Sequence, residues 1–237
     1  MNVIILPLSA FDDTAATIDN AEQLNHIKTV LKASVGDTLK IGKLGDKMGV
    51  GQIAHIDDKV CLLENVRLDT NPPPKLGVTV MLALPRPKVL RRLIMDMTAF
   101  GVHHIILINS VRTDKSYWGS PLLARLDEFV LEGLQQGVDS VPPAITLAKR
   151  FKPFVQDTLP SLINNKSALV FHPYADTSFK EFIHHNPLPD MIIIGAEGGF
   201  VPYEIELLAS VGVRAVSLGE RILRTESAVN ATLGRWV

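Results

Sequence analysis

Short apolar runs separated by turn residues occupy the first part of the chain, up to about Leu68. Runs of this length, bounded by Gly-Asp or Asp-Asp pairs, are typical of β-strands joined by tight turns. One helix-like stretch, residues 21–32, interrupts them. The expected strands are Val3–Leu6, Thr38–Ile41, Val50–Ala54 and Val60–Leu63. This pattern predicts a small β-barrel with a single helix.

Three consecutive prolines, Pro72–Pro74, follow these strands. Because proline fixes φ and removes an amide donor, a β-ladder does not continue through such a run, and a stiff linker is expected. We therefore expect a domain boundary here. The first domain would cover residues 1–70 and the second residues 75–237.

Apolar strands alternate with amphipathic helices after the linker. Helical spacing of apolar residues predicts one helix between Val89 and Phe100, stopped by Gly101, and another from about Pro121 to Gly137. The intervening runs are rich in β-branched residues, which is typical of parallel strands buried on both faces. These strands are Val78–Leu84, Ile105–Ile108, Ala168–Phe171, Met191–Ile194 and Ala215–Leu218. The second domain is therefore predicted to be α/β.

Two of these strands run directly into glycine-bearing loops, Gly195–Gly199 and Leu218–Glu226. In open α/β sheets, ligands bind at the carboxyl ends of the strands, in pockets lined by such loops. Each loop also leads into a predicted helix. Pro202 stands at the first helical position of one, and Thr225 is expected to cap a last helix that extends to about Trp236. The sequence therefore predicts a cofactor pocket near its C-terminus, faced by amide donors.

Composition narrows the class of protein. The chain has 237 residues, of which 46% are hydrophobic and 21% charged, as in globular proteins. No apolar run approaches the roughly 20 residues that span a bilayer, so no membrane association is expected. The single cysteine, Cys61, lies among apolar neighbours and predicts a buried thiol without a disulfide. We therefore expect a cytoplasmic protein.

The net charge of −1 argues against nonspecific coating of nucleic acid, because phosphate neutralisation requires an excess of Lys and Arg. Local basic clusters still allow specific contacts, although a solvated helix face explains each cluster equally well. The clusters are Arg86, Lys88, Arg91 and Arg92, and Lys149, Arg150 and Lys152.

Several common catalytic signatures are missing from the sequence. There is no Walker A motif, His-Glu-x-x-His, Cys-x-x-Cys or Gly-x-Ser-x-Gly. Gly49-Val50-Gly51 is only a fragment of a dinucleotide fingerprint, and we interpret it as a hairpin turn. The seven histidines show no ligand spacing, so no metal site is expected.

The C-terminal motifs, with a third loop at Phe171-His172-Pro173, resemble the three cofactor loops of the SPOUT class of RNA methyltransferases. The resemblance is closer to one family, the RsmE 16S rRNA uridine-N3 methyltransferases. The C-terminal sequence motif of that family is similar to two segments of this chain, Ile194–Gly199 and Leu218–Glu226. His26–Leu31 with Gly36-Asp37 resembles that family's N-terminal PUA-like barrel, and residues 84–114 resemble its first catalytic strand, helix and strand.

This resemblance implies a SPOUT α/β domain with a deep trefoil knot, S-adenosylmethionine (SAM) as methyl donor, and a homodimer with its active site at the subunit interface. The acceptor would be the N3 atom of a uridine in the decoding region of 16S rRNA, within the small ribosomal subunit. The implied cofactor-binding residues are His172, Pro173, Ile194, Gly195, Glu197, Gly198, Gly199, Leu218, Gly219, Ile222, Leu223, Thr225, Glu226 and Ala228.

Arg224 is the candidate catalytic residue. Loss of the uridine N3 proton leaves negative charge on the uracil, and a nearby cation would stabilise it. Glu226 has two interpretations of equal weight: it orients Arg224, or it is a carboxylate in the first turn of a helix. The identity of the catalytic base stays open, and water is one of the candidates.

The barrel and the basic cluster are expected to hold RNA through phosphate contacts. The candidate RNA-binding residues are Lys32, Arg86, Lys88 and Arg91. Some positions differ from the family pattern: Ala196 replaces proline, Ser227 replaces threonine, and residues 134–139 match only in part. Two alternatives therefore stay open, an RNA-binding protein without catalysis and a SPOUT enzyme that methylates a ribose 2′-hydroxyl.

Overall fold

The computed structural model describes all residues, 1–237, which fold into two compact units. One unit contains residues 1–74 together with 130–142, and the other contains residues 75–129 together with 143–237. None of the helices combines the length and the hydropathy that crossing a membrane requires.

The first unit is built on a six-stranded mixed sheet in the order β1-β4-β5-β6-β3-β2. Its strands are β1 (Ile4–Leu6), β2 (Phe11–Asp12), β3 (Ala15–Ile18), β4 (Thr38–Lys43), β5 (Met48–Ile56) and β6 (Cys61–Thr70). Only β1 and β4 pair in parallel; the other pairs are antiparallel. Ile18, Ile27, Ile41 and Cys61 are fully buried in its core.

A helix precedes β4 in this unit, as the sequence predicted. It begins as α1 (Ala21–Asn25), whose N-terminus is capped by the Asn20 side chain, and continues as a π-helical segment, His26–Leu31. Lys32 ends it in the left-handed region at φ 52°.

The prediction of a hairpin turn at Gly49-Val50-Gly51 is wrong, because all three residues lie inside β5. The turn instead uses Gly45, at φ 80°. Gly49 has a different purpose: a Cβ atom there would lie 1.8 Å from the carbonyl oxygen of Arg67 on β6. Glycine at this position therefore permits close approach of two strands.

Residues 130–142 also belong to the first unit, although the sequence analysis assigned them to the second domain. The backbone amide of Asn2 donates to the carbonyl oxygen of Gln135 at 2.8 Å. The buried Gln23 amide donates to the Ile5 carbonyl and to Gln135 Oε1, both at 3.0 Å. This segment therefore has its hydrogen-bond partners near the start of the chain.

The second unit contains a six-stranded sheet in the order β12-β10-β11-β7-β8-β9, in which all pairs are parallel. Its strands are β7 (Leu76–Ala83), β8 (Val102–Ile108), β9 (Ala144–Ala148), β10 (Ala168–Phe171), β11 (Met191–Ile194) and β12 (Arg214–Val216). Most central strand residues are buried on both faces. The predicted α/β class is confirmed.

Helices lie between these strands along the chain, and one more follows the last strand. They are α2 (Pro87–Ala99), α3 (Leu126–Gly137), α4 (Phe151–Pro153), α5 (Leu159–Leu162), α6 (Phe179–His185), α7 (Pro202–Ser210) and α8 (Thr225–Leu233). A π-helical segment, Phe154–Thr158, joins α4 to α5. Gly101, at φ 85°, follows α2 as predicted. The helix predicted from Pro121 begins as a separate 3₁₀ segment, Pro121–Arg125, before α3.

The predicted capping role of Thr225 is wrong. Arg224 occupies the N-cap position without a side-chain cap, and Thr225 is the first helical residue. Its hydroxyl instead donates to the Gly195 carbonyl at 3.4 Å. The last helix therefore begins against the neighbouring glycine loop, and it ends at Leu233, earlier than expected.

Candidate functional site

Three parallel strands end side by side at one edge of the second sheet. In the register, Phe171 of β10 lies opposite both Ile194 of β11 and Val216 of β12. The loops that follow these residues therefore start at the same edge. The two glycine-bearing loops therefore meet at this edge, as expected from their positions after buried strands, and the loop after Phe171, which only the resemblance indicated, lies beside them.

A cavity of about 730 Å³ lies between these loops, within the second unit. All of the residues predicted for cofactor binding line it, as does Arg224: His172, Pro173, Ile194, Gly195, Glu197, Gly198, Gly199, Leu218, Gly219, Ile222, Leu223, Thr225, Glu226 and Ala228. It has the size typical of small-molecule sites. The structure thus brings together in one cavity residues that are far apart in the sequence.

The glycine loop after β11 leaves no room for a side chain at its first residue, Gly195. A Cβ atom on Gly195 would lie 2.9 Å from the Cα atom of Gly199 and 3.3 Å from the Phe200 nitrogen. Gly199 has φ 66°, a conformation that favours glycine. At Gly195 and Gly199 the loop therefore presents backbone, and not side chains, to the cavity.

The apolar residues of the cavity wall are buried to different extents. Ile194, Ala228 and the previously unassigned Phe171 are buried, but Ile222 is 72% exposed and Leu223 39% exposed. Both exposed residues lie in the irregular segment between β12 and α8, where neither a strand nor a helix buries them. The buried apolar surface of the cavity is thus supplied mainly by the strand ends and by α8.

Both carboxylates of the cavity form ion pairs with arginines near α2. Glu197 Oε1 accepts from Arg86 Nε at 3.0 Å, and Glu226 Oε1 accepts from Arg92 Nη2 at 2.9 Å. Glu226 lies in the first turn of α8, as one of its two interpretations expected. Its partner is Arg92 and not Arg224, so the structure does not support the interpretation in which it orients Arg224.

His172 is half-buried in the wall of the cavity. Burial lowers the pKa of its imidazole from the ordinary value of 6.5, because the charged form is less well solvated there. The ring packs edge-on against Tyr174, with a centroid separation of 5.6 Å. His172 therefore presents a neutral ring to a ligand at pH 7.

The candidate RNA-binding residues are dispersed. Arg86 lines the cavity, whereas Lys88 and Arg91 lie on α2 outside it. The Arg91 guanidinium stacks over the Phe129 ring at 5.8 Å from its centroid. Lys32 lies in the first unit, exposed at the end of its helix.

Sequence reasoning missed two important residues of this region. Arg112 lines the cavity, and its Nη1 atom donates to the Gly198 carbonyl at 2.5 Å. Glu204, only 1% exposed, accepts from the backbone amides of Val111 at 2.8 Å and Val201 at 2.9 Å. It therefore ties the loop after β8 to the start of α7. The position of Arg112, shortly after a strand end at the same sheet edge, was the available signal.

Other candidate chemistry is limited. No group of three or more His, Cys, Asp or Glu side chains is arranged to hold a metal ion. Cys61 is buried as predicted, and burial raises the pKa of its thiol to about 11, so it remains protonated at neutral pH.

The comparison with known families agrees with this geometry. Residues 72–237 match the model of the RNA methyltransferase domain, well over half of the chain. The chain therefore belongs to the RNA methyltransferase domain family.

Individual relatives identify the particular family of RNA methyltransferases to which the chain belongs. The chain is 27% identical over 221 residues to Ribosomal RNA small subunit methyltransferase E of Treponema pallidum, covering 87% of this chain and 79% of the relative. It is 27% identical over 235 residues to Ribosomal RNA small subunit methyltransferase E 1 of Borreliella burgdorferi, covering 98% and 95%. The chain is a member of the RsmE family, which confirms the resemblance inferred from its motifs.

A solved structure shows the same fold. The Neisseria gonorrhoeae Ribosomal RNA small subunit methyltransferase E, bound to S-adenosyl methionine, superposes with a TM-score of 0.76 at 18% identity, covering 99% of this chain and 96% of that one. The similarity extends over both units, including the mixed sheet of the first.

Proposed function

We propose that this protein transfers a methyl group from SAM to the N3 atom of a uridine in 16S rRNA of the small ribosomal subunit. The observation that carries the proposal is the single cavity that gathers all three motif loops of an RsmE family member at the carboxyl edge of a parallel sheet. The names of the relatives support the rRNA substrate.

The cavity fits SAM in size and in chemistry. Its volume of about 730 Å³ suits a ligand of this size, and the Gly195–Gly199 loop allows close approach of backbone donors and acceptors. The buried side chains of Ile194 and Ala228 offer apolar contact for the adenine ring. The lowered pKa of His172 keeps a second positive charge away from a cationic sulfonium.

When bound, SAM supplies an electrophilic methyl group. The protein's contribution is to place the uridine N3 atom in line with that methyl group and to favour the anionic form of the uracil base. Arg224 lines the cavity at the N-terminus of α8, is exposed, and has no carboxylate partner there. We assign to Arg224 the stabilisation of the charge that develops on the uracil carbonyl oxygens.

The same proposal covers the two domains, the knot, the oligomeric state and the location of the protein. We propose that residues 1–70 form a PUA-like barrel, that residues 75–237 form a SPOUT domain with a deep trefoil knot, and that the protein is a cytoplasmic homodimer. Exposure of Ile222 (72%) and Tyr174 (78%) beside the cavity supports a subunit interface there. Lys32, Arg86, Lys88 and Arg91 would contact RNA phosphates.

Nucleoside analysis of 16S rRNA tests this function. Cells with the gene should contain N3-methyluridine in 16S rRNA, and cells without it should lack that nucleoside until the gene is restored. Purified protein with SAM should add the same modification to unmodified small subunits. A 2′-O-methylated nucleoside in its place would contradict the base specificity, and no modification would contradict the enzymatic activity.

A further inference from the structure

The charges around the cavity mouth are unevenly matched. Four arginines line the cavity, Arg86, Arg112, Arg221 and Arg224, against two carboxylates, Glu197 and Glu226. The two carboxylates are already paired, with Arg86 and with Arg92 of α2. Glu220, adjacent to Arg221 in the chain, does not line the cavity and forms no ion pair. Three guanidinium groups at the mouth therefore lack an acidic partner.

The cofactor accounts for only part of this excess. SAM carries one carboxylate against a sulfonium and an ammonium cation, so it does not neutralise three guanidinium groups. The chain as a whole has a net charge of −1, so the concentration of unpaired arginines at one opening is not a consequence of general basicity. Guanidinium groups bind phosphates through paired hydrogen bonds, so the mouth suits a phosphodiester chain.

In the proposed methyl transfer, Arg224 stabilises the uracil anion. No step is assigned to Arg112 or Arg221. They approach the cavity from different elements. Arg112 follows β8 on the loop that Glu204 holds in place, and Arg221 lies between β12 and α8. Both side chains are exposed, so they are accessible to a large ligand.

Arg112 is also linked to the cofactor loop. Besides its bond to the Gly198 carbonyl, its side chain packs so closely that a Cβ atom at Gly198 would lie 2.9 Å from the Arg112 Cβ atom. A bond to a carbonyl oxygen leaves the charge of the guanidinium unneutralised. The remaining N–H donors of Arg112 therefore stay available for an anion.

We infer that Arg112 and Arg221 form a phosphate-binding site at the mouth of the cavity, which holds the RNA backbone beside the target nucleotide. This inference rests on the proposed function. It adds a contact site separate from the basic cluster at α2, which consists of Arg86, Lys88, Arg91 and Arg92. In that cluster ion pairs partly offset the charges of Arg86 and Arg92, so Arg112 and Arg221 add phosphate contacts to those proposed for Arg86, Lys88 and Arg91 and do not replace them.

The test uses the full-length, SAM-loaded protein and unmodified small-subunit rRNA as the probe. Arg112→Ala and Arg221→Ala should each weaken RNA binding by about tenfold or more at low salt. Each should also reduce the slope of log affinity against log salt concentration by about 0.7 to 0.9. For Arg221→Ala, whose side chain makes no bond to the glycine loop, the affinity for SAM measured by calorimetry should fall much less than the affinity for RNA. Arg112→Ala also removes the bond to the Gly198 carbonyl, so some loss of SAM affinity is expected there as well.

Charge-conserving and distant variants separate binding from structure. Arg112→Lys should restore most of the salt slope, since a lysine also contacts phosphate as a point charge. Arg214→Ala, at an exposed position of β12 outside the cavity, should leave the slope unchanged. An unchanged slope in both alanine variants, or equal losses of SAM and RNA affinity in Arg221→Ala, would overturn the inference. Absence of methyl transfer by the wild type would instead contradict the proposed function, while the slopes would still decide this site.

Discussion

Gly195 is the residue at which the shape of the cofactor loop is most directly set by sequence. Any side chain there meets the backbone of Gly199 and Phe200, which has no flexible end that could move aside. We expect Gly195→Ala to open the loop and to weaken SAM binding by at least about tenfold, measured by calorimetry. Gly77→Ala is the matched control, because no atom lies within 4 Å of a Cβ there. Equal SAM affinity in the two variants would contradict the assignment of the loop.

Gly198 requires a different explanation from the one its motif suggests. A side chain at this position meets Arg112 before it enters the cavity, with 2.9 Å separating the two Cβ atoms. A substitution at Gly198 therefore disturbs the cofactor loop and Arg112 together, so Gly195 is the cleaner test of cofactor binding.

Arg224 is the residue whose substitution should separate catalysis from binding. We expect Arg224→Ala to reduce the rate of methyl transfer by about 10²-fold, the usual effect of removing one group that stabilises transition-state charge. SAM affinity should change much less, because no hydrogen bond of Arg224 shapes the glycine loop. Single-turnover kinetics and calorimetry on the same variant measure the two quantities. Parallel losses in both would make Arg224 a cofactor-binding or structural residue.

At the scale of elements, Glu204 joins two loops that the site requires. Its carboxylate accepts hydrogen bonds from Val111 and Val201 while almost fully buried. In Glu204→Gln the amide nitrogen would face one of these N–H donors and leave it unpaired, so we expect a loss of about 1 to 3 kcal/mol in the free energy of unfolding. Urea denaturation measures it. Glu206→Gln, exposed on the same helix, should have little effect, and a similar loss there would argue against the buried clamp.

The turn between β5 and β6 gives a prediction for pH. Backbone amides of Lys59 and Val60, followed by the His55 side chain, lower the pKa of Asp57 from 3.8 to about 2. Because the folded pKa lies below the unfolded one, ionised Asp57 stabilises the fold above pH 3.8, and this contribution disappears as the pH falls towards 2.

Asp57→Asn keeps an acceptor for both amides but removes the charge. The wild type should therefore unfold at higher urea concentration than the variant at pH 6, and the difference should shrink steadily between pH 4 and pH 2. A constant difference across that range would show that the charge of Asp57 contributes nothing. Asp19→Asn, at an exposed position outside this turn, is the control.

Sequence patterns predicted the elements of the second unit better than those of the first. Continuous apolar runs such as Met191–Ile194 become buried parallel strands because both faces need cover, and this requirement is visible locally. The short strands β2 and β3 and the partly exposed edge strand β9 carry no such run and were missed. Gly49 was misassigned because a close approach to Arg67 of β6, 18 positions along the chain, cannot be read from its neighbours.

The candidate site shows the same limit. Motif residues identified the cavity lining, because glycine loops and strand ends are local features. The ion pairs of Glu197 and Glu226 join residues 111 and 134 positions apart, so sequence spacing gave no indication of them. Arg112 was missed for the same reason, since its contact with Gly198 exists only once β8 and β11 are placed in one sheet.

On the scale of the whole molecule, the division into two units is not a simple cut at the proline linker. Residues 130–142 belong with residues 1–74, although α3, which contains their first half, starts in the other unit. Leu134 and Ser140 are fully buried there, and Gln135 and Asp139 nearly so. The first unit therefore depends on a segment encoded far downstream, and the chain passes from the second unit to the first and back.

A fragment of residues 75–237 tests this organisation. The fragment retains every residue that lines the cavity, so we expect it to bind SAM with affinity close to that of the full chain. Residues 130–142 would lose their partners Asn2, Val3 and Gln23, and their backbone amides should exchange with solvent much faster than in the intact protein. Strands β7, β10 and β11 should keep their protection in hydrogen-exchange mass spectrometry. Full protection of residues 130–142 in the fragment would show that this segment folds without the first unit, and loss of protection in the parallel sheet would show that the second unit does not fold alone.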